Sequence, residues 1–337
     1  MAEAEAKAGL RLRRAEGFAY WTVIAPLAAC LPAPVAYRVA CWRGEWTRRL
    51  WPQKRAEIVR DLRQVLGDQV SEEEAQRLAR ELFRYRSCEI MDLMRLRGSA
   101  RSLTKLVEIR GREHLEAALA GGKGAILCTG HFGSHQSAFS AVSADGYPVT
   151  TIGRWDWKYD TTVSPAERRF WELAYSRRVI RHRRRPHLEP WPGRFQVAVQ
   201  AAAALRENEF VTICSDAGPL GAEQARSLEM PFLGQKARLL PGVVSIAKLT
   251  GAPVLMVFIH RSADYQHQTL EISPPVSMQG DTRTAFERVV AAIDAAIQRN
   301  PASWNLWFET DVLARLGLVT ATPPAETAEG ELQQSTR

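Results

Sequence analysis

From residue 106 onwards, short apolar runs alternate with stretches of helical hydrophobic spacing. Such alternation predicts an α/β fold, because a helix between two strands lets the second strand join the same sheet. The predicted strands are Leu106–Ile109, Gly124–Cys128, Pro148–Ile152, Phe210–Cys214, Pro253–Ile259 and Thr269–Ile272. The predicted helices span residues 112–120, 134–144, 164–177, 195–207, 241–250 and 283–299. We therefore expect a mixed central sheet flanked by helices.

The first hundred residues have a helical pattern instead. Apolar residues recur at i, i+3 and i+4 in Trp51–Leu66 and in Ser71–Arg97. Ser71 and Glu74 form a capping-box sequence, which marks the start of the second helix. The expected organisation is a flexible N-terminus at 1–15, a helical region at 16–100, an α/β domain at 101–318 and a disordered tail at 319–337.

An apolar segment at residues 18–42 raises the question of membrane contact. Three prolines and Arg38 interrupt it, whereas a spanning helix requires about 20 consecutive apolar residues. We therefore expect two short helices, 16–30 and 33–46, that lie in the membrane interface; the alternatives are helices that cap a soluble fold and a processed lipoprotein signal ending at Cys30. The aromatic residues typical of interfacial anchors are Trp21, Trp42 and Trp46.

The chain carries a net charge of +8, which favours anionic partners. Its densest basic run, residues 177–185, is suited to a face that contacts anionic lipid or an acidic carrier protein. No recognised nucleic-acid module accompanies the charge, so we expect no nucleic-acid partner. The cysteines lack framework spacing and are expected to be buried thiols in a reducing compartment; they are Cys30, Cys41, Cys88, Cys128 and Cys214.

Residues 128–136 read Cys-Thr-Gly-His-Phe-Gly-Ser-His-Gln and follow an apolar run. A strand that ends at Thr129 and a helix that begins after His131 place an imidazole at the mouth of the sheet, where α/β folds hold ligands. A neutral imidazole accepts protons near pH 7, so His131 is a candidate general base. The alternative is a histidine that caps the helix.

This stretch resembles the His-Phe-Gly-Asn-Trp-Glu block of the bacterial lysophospholipid and lipid A acyltransferases. Further blocks in the family's order extend the resemblance over residues 15–310; they are Gly146–Arg154, Val211–Gly218, Pro231–Gly242, Lys248–Leu255 and Asn300–Trp307. One block alone is weak evidence, but six in order identify the superfamily. The resemblance implies a fold similar to that of the glycerolphosphate acyltransferases and an acyl-transfer reaction.

The family signature pairs the histidine with a carboxylate five residues later, where this chain has Gln136. An amide can orient the imidazole of His131 but brings no charge to stabilise an imidazolium. Asp216 is the expected replacement, because it follows a predicted strand at the sheet edge where His131 emerges. The alternative is that Asp216 caps the turn at Ala217 and Gly218. Weaker candidates in the following loop are Glu223 and Glu229.

Other residues are candidates for substrate binding. The resemblance implies that Arg154 holds an anionic part of the donor or acceptor. Lys236 and Arg238 precede a predicted helix start, a place suited to anions. Backbone amides around Gly133 are candidates for stabilising an oxyanion. His135 is expected to line the pocket or to serve as an alternative base, and we expect no metal site because no third ligand is evident.

These observations predict an acyltransferase with no resident cofactor and no covalent acyl-enzyme. An acyl-coenzyme A or acyl carrier protein thioester would supply the chain, and a lipid or glycolipid hydroxyl would accept it. The expected location is the cytoplasmic face of the inner membrane, as a peripheral or monotopic protein on an anionic surface, with acyl carrier protein as a possible partner. Two alternatives stay open: a specialised pathway enzyme with a small-molecule or carrier-bound acceptor, and a lipid-binding protein without catalysis.

Overall fold

The computed structural model describes residues 19–95, 105–153, 168–169 and 196–320. Its N-terminal part is helical, as predicted: a π-helical turn at Tyr20–Ile24 is followed by α1 (Ala25–Cys30), α2 (Ala33–Leu50), α3 (Pro52–Leu66) and α4 (Glu72–Arg95). A proline occupies the first or second position of α1, α2 and α3. An N–H at those positions has no intrahelical partner, so proline starts each helix without losing a hydrogen bond.

The two N-terminal helices have a buried face and an exposed face. Tyr37 of α2 packs with Met91 of α4 in one apolar cluster. The exposed large apolar side chains of this region are Val23, Ile24, Leu27, Leu31, Val35, Trp42 and Trp46. Within the described ranges, no helix is both long and apolar enough to cross a membrane. The prediction of buried thiols is wrong for Cys30, which is exposed at the end of α1.

The rest of the described chain alternates strands and helices. The strands are β1 (Val107–Arg110), β2 (Ala125–Thr129), β3 (Val149–Thr151), β4 (Phe210–Cys214), β5 (Leu228–Phe232), β6 (Gln235–Leu239), β7 (Val254–Arg261) and β8 (Gln268–Val276). The helices are α5 (Arg112–Ala120), α6 (His135–Ala144), α7 (Gln196–Arg206), α8 (Gly242–Thr250), α9 (Thr282–Arg299) and α10 (Thr310–Leu316).

Six of these strands form a mixed sheet in the order β1-β8-β7-β2-β4-β3. Neighbouring strands run parallel except β7 and β8, which are antiparallel. Strand β2 is central and fully buried on both faces, which explains why it reads as a continuous apolar run. The expected mixed α/β sheet and all six predicted strands are therefore confirmed.

Strands β5 and β6 form a separate antiparallel hairpin, whereas the sequence predicts a loop around Glu229. The hairpin turns at Leu233 and Gly234, which both have positive φ angles. Two successive positive φ angles are typical of the turns that join antiparallel strands. Its buried residues alternate with exposed ones, a weak signal in strands of five residues that Pro231 further obscures.

Helices α3 and α4 pack into the main core together with one face of the sheet. Leu62 and Leu82 belong to the same cluster as Ile126 of β2 and Phe286 of α9. The other face of the sheet packs against α5 and α6. Several predictions lie outside the described residues: the role of Arg154, the basic run 177–185, the N-terminus at 1–15, the boundary near 100, most of the helix at 164–177 and most of the tail at 319–337.

Candidate active site

The site is built where two adjacent parallel strands end. Strands β2 and β4 pair in register up to Thr129 and Cys214, and the N–H of Ser215 donates to the carbonyl oxygen of Thr129 at 2.9 Å. Because parallel strands end at the same sheet edge, the residues that follow are brought side by side. His131 follows β2, and Asp216 follows β4.

The carboxylate of Asp216 binds His131 through both of its oxygens. Oδ1 lies 2.6 Å from Nδ1 of the His131 ring, and Oδ2 accepts the backbone N–H of His131 at 2.6 Å. The indole N–H of Trp304 also donates to Oδ2, at 2.7 Å. Asp216 is fully buried, whereas the His131 side chain is 32% exposed. These contacts hold the imidazole at its Nδ1 side. The rest of the ring stays partly exposed, where a substrate can reach it.

These contacts determine the charge of Asp216. Burial raises its pKa, but the charge of His131 and the hydrogen bonds from His131 and Trp304 lower it more, so the pKa lies below the ordinary aspartate value. Asp216 is therefore an anion at neutral pH. A carboxylate at Nδ1 favours the tautomer with the proton on that nitrogen, which gives Nε2 the basic lone pair.

Two glycines make this approach possible. A Cβ atom at Gly130 would lie 2.6 Å from Oδ2 of Asp216. A Cβ atom at Gly133 would lie 2.5 Å from the carbonyl oxygen of Ile259, and Gly133 also has a φ of +53°. Side chains are excluded at both positions, so the Gly-His-Phe-Gly pattern is a geometric requirement of the loop.

A second segment, residues 303–305, holds the loop from its other side. The N–H of Gly133 donates to the carbonyl oxygen of Ser303 at 2.7 Å, and the N–H of Asn305 donates to the carbonyl oxygen of His131 at 2.8 Å. Of the backbone amides around Gly133, that of Gly133 itself is therefore already bonded, and the oxyanion role of the group stays a prediction. The N–H of Ser134, at the start of α6, has no backbone partner among the described residues.

Comparison with known proteins decides the family of the chain. Residues 6–311 match the family described as bacterial lipid A biosynthesis acyltransferases. The chain belongs to this family. One curated member, a lipid A biosynthesis acyltransferase of Haemophilus influenzae, is 25% identical over 207 residues. That alignment covers 61% of the present chain and 59% of the Haemophilus protein.

The second histidine of this acyltransferase-family chain lies against the first. The rings of His131 and His135 meet edge to face with centroids 5.3 Å apart. Burial, followed by the charge of His131, lowers the pKa of His135 to about 3, so its ring is neutral at physiological pH. Its Nδ1 is buried without a hydrogen-bond partner among the described residues. Its role as a pocket wall or as an alternative base stays a prediction.

Gln136 stands at the family's carboxylate position, but the side chain that contacts Nδ1 of His131 is that of Asp216. The side-chain nitrogen of Gln136 lies 3.3 Å from Nε2 of His135. A carboxylate therefore contacts the His131 imidazole although the signature position holds a glutamine. The described part of the chain contains no group of three or more metal-ligating side chains arranged to hold a metal ion.

Lys236 and Arg238 lie on the exposed face of β6, before the helix start at Gly242. Lys236 pairs with Glu229 across the hairpin at 3.2 Å. No hydrogen bond or ion pair within the described residues joins either cation to His131 or Asp216. Glu223 caps its own turn by accepting the N–H of Leu220 at 3.0 Å. Neither of the weaker carboxylate candidates therefore contacts His131.

Sequence reasoning missed Trp304 and Asn305 as members of the site. Both lie in the block Asn300–Trp307, which carried part of the family resemblance. The signal available in the sequence was a tryptophan next to an asparagine, in the short segment between α9 and α10. Neither residue type indicates proton transfer, so chemistry alone could not have assigned them.

Proposed function

We propose that this protein transfers an acyl chain from a thioester to a hydroxyl group of a lipid or glycolipid. Acyl-coenzyme A or acyl carrier protein would be the donor. The observation that carries the proposal is the buried, ionised Asp216 bound to Nδ1 of a part-exposed His131. Membership of the lipid A acyltransferase family supports the reaction and the lipid class of the acceptor.

In this mechanism Nε2 of His131 removes the acceptor hydroxyl proton as the oxygen attacks the thioester carbonyl. Positioned general-base help is worth about 10²–10⁴-fold. Asp216 stabilises the imidazolium that forms. When the tetrahedral intermediate collapses, the carbon–sulfur bond breaks and the imidazolium returns its proton to the thiolate. The products are an ester and a free thiol, and no residue becomes acylated.

The negative oxygen of the intermediate needs hydrogen-bond donors. The N–H of Ser134, at the start of α6, is one donor close to His131 in sequence. A helix N-terminus also contributes a partial positive charge, which favours an oxyanion. This donor is one of the backbone amides around Gly133.

We further propose peripheral binding to an anionic membrane at the cytoplasmic face. The exposed apolar side chains of the N-terminal helices, among them Leu27 and Trp42, support contact with acyl chains. Arg38 and Arg49 are exposed on α2, beside this surface, and suit anionic head groups. The net charge of +8 also favours binding to an anionic membrane.

A second acceptor class is supported by a specific difference. Ser134, His135 and Gln136 stand inside the family signature, and the last two contact each other beside His131. A changed pocket wall is expected in an enzyme of a specialised pathway that acylates a small or carrier-bound acceptor. The non-catalytic alternative is disfavoured, because a lipid-binding protein has no need for a buried carboxylate on an imidazole.

The test is to incubate the purified protein with long-chain acyl-coenzyme A or acyl carrier protein and a total lipid extract, and to follow acylated products by mass spectrometry. We expect an acylated lipid with wild-type protein and none with His131→Ala. His114→Ala is the matched control, because His114 lies on α5 away from the dyad. Transfer that persists in His131→Ala would contradict the mechanism. A product found only with small acceptors would select the second class.

A further inference from the structure

One side chain links the His131 loop to the N-terminal helices. The amide nitrogen Nδ2 of Asn305 donates to the carbonyl oxygen of Gly133 at 3.0 Å and to Oε1 of Glu89 at 2.9 Å. The backbone N–H of Asn305 donates to the carbonyl oxygen of His131. A single residue therefore holds the loop at two carbonyl groups, two residues apart.

The chemistry of this position suits an asparagine. Both acceptors, the Gly133 carbonyl and the Glu89 carboxylate, need a donor, and an amide NH₂ group supplies two donors at one atom. Glu89 lies on α4 and is 8% exposed. Its second oxygen lies 3.5 Å from the guanidinium of Arg86. The pair thus ties the loop to α4 through Asn305, which lies 216 residues from Glu89 in sequence.

The same short segment also contacts the other half of the dyad. Trp304 donates to Asp216, and Asn305 donates to the loop that carries His131. Consecutive residues therefore set the positions of the base and of its carboxylate. A shift of this segment would change the distance between the two groups.

We propose that Glu89 and Asn305 form a positioning pair that holds the His131 loop in register with Asp216. The pair contacts neither the imidazole nitrogens of His131 nor the carboxylate of Asp216, and it acts through the backbone of residues 131–133. The proposal rests on the proposed function of His131 as the general base. Its expected effect is on the rate of the chemical step, because a displacement of about 1 Å in a catalytic group can cost about 10²-fold.

The kinetic test uses three variants of the pair. In Asn305→Ala and Glu89→Leu we expect kcat to fall by about 10–10²-fold while KM stays near the wild-type value. In Glu89→Gln the side-chain carbonyl still accepts from Asn305, so kcat is expected to recover most of the loss. This rescue would not occur if Glu89 acted through its charge alone.

A matched control separates positioning from general stability. Thr150 of β3 donates at 2.8 Å to the carboxylate of Glu209, the buried residue that precedes β4, which is a comparable buried bond. Thr150→Val should lower thermal stability without changing kcat. An equal kcat loss in Thr150→Val and Asn305→Ala would overturn the proposal, since it would show a general loss of folded enzyme.

A spectroscopic test works without any acyl transfer. In protein labelled at its seven histidines, an imidazole N–H bonded to a carboxylate gives a downfield proton resonance, and His131→Gln assigns it. We expect this resonance in wild type and Glu89→Gln, and its loss or broadening in Asn305→Ala. If Asn305→Ala does not fold, Glu89→Leu tests the same bond from the other side.

The two readouts distinguish the two proposals. An inactive wild-type protein whose resonance responds to Asn305→Ala would defeat the proposed reaction but support the positioning pair. An active wild type whose kcat and resonance are both unchanged in folded Asn305→Ala would overturn the pair and leave the reaction intact.

Discussion

Two fully buried aspartates receive similar sets of donors but face different partners. Asp216 binds His131 and Trp304 at the sheet edge. Asp92 of α4 accepts from Tyr37 at 2.7 Å, from Gln268 at 2.9 Å and from the guanidinium of Arg261. The Arg261 side chain is 6% exposed, whereas that of His131 is 32% exposed.

The difference lies in what the partner can do with a proton. Burial lowers the pKa of Arg261, but Asp92 raises it more, so the guanidinium stays charged at all working pH values. The cluster around Asp92 is therefore a permanently charged structural link that holds α2 and α4 to the sheet. An imidazole can gain and lose its proton near neutral pH, and its exposure admits a substrate. A buried carboxylate indicates a catalytic site only when its partner is both titratable and accessible.

The largest expected effect is on activity, through Asp216→Asn. An asparagine can keep the bond from Trp304, but it removes the charge that stabilises the imidazolium and no longer favours the productive tautomer. By analogy with a serine-protease triad, kcat should fall by about 10⁴-fold. Steady-state kinetics with the donor thioester measure this loss, and circular dichroism checks the fold.

Asp92→Asn is the matched variant, in which we expect the main loss to be in the free energy of unfolding rather than in kcat. Its removal of charge leaves the Arg261 guanidinium buried and uncompensated, which costs about 3–5 kcal/mol in the free energy of unfolding. Next to Asp216, by contrast, the imidazole can become neutral, so Asp216→Asn should lose less stability. Urea unfolding compares the two. A larger stability loss in Asp216→Asn than in Asp92→Asn would contradict the distinction between a structural role of Asp92 and a catalytic role of Asp216.

The same contrast explains which parts of the molecule the sequence could predict. Buried parallel strands read as apolar runs, so the six sheet strands were visible, and the shared edge of parallel strands brought Asp216 to His131. The contacts of Trp304 and Asn305 were not visible, because they join residues 88 and 216 positions apart through an indole and an amide. Neither group has a spacing rule or titratable chemistry. The bond of the Gly133 amide was missed for the same reason.

The smallest expected effect concerns His135, a partly buried side chain whose Nδ1 is itself buried with no hydrogen-bond partner among the described residues. Its pKa is lowered to about 3 by burial first and by His131 second, against about 6.5 in an unfolded chain. The unfolded state therefore binds more protons between these values. The stability that His135 contributes is present above pH 6.5 and is lost as the pH falls toward 3.

On this basis, wild-type protein should lose on the order of 1 kcal/mol of unfolding free energy from this group between pH 6.5 and 5. His135→Gln removes the titrating group, so its stability should depend less on pH over the same range. Urea unfolding at several pH values measures the difference in slope. Identical slopes would mean that His135 is solvated in the folded state. Burial alone would then not distinguish the His135 imidazole from the accessible His131 imidazole. The comparison between buried and accessible groups would then not hold within the active site.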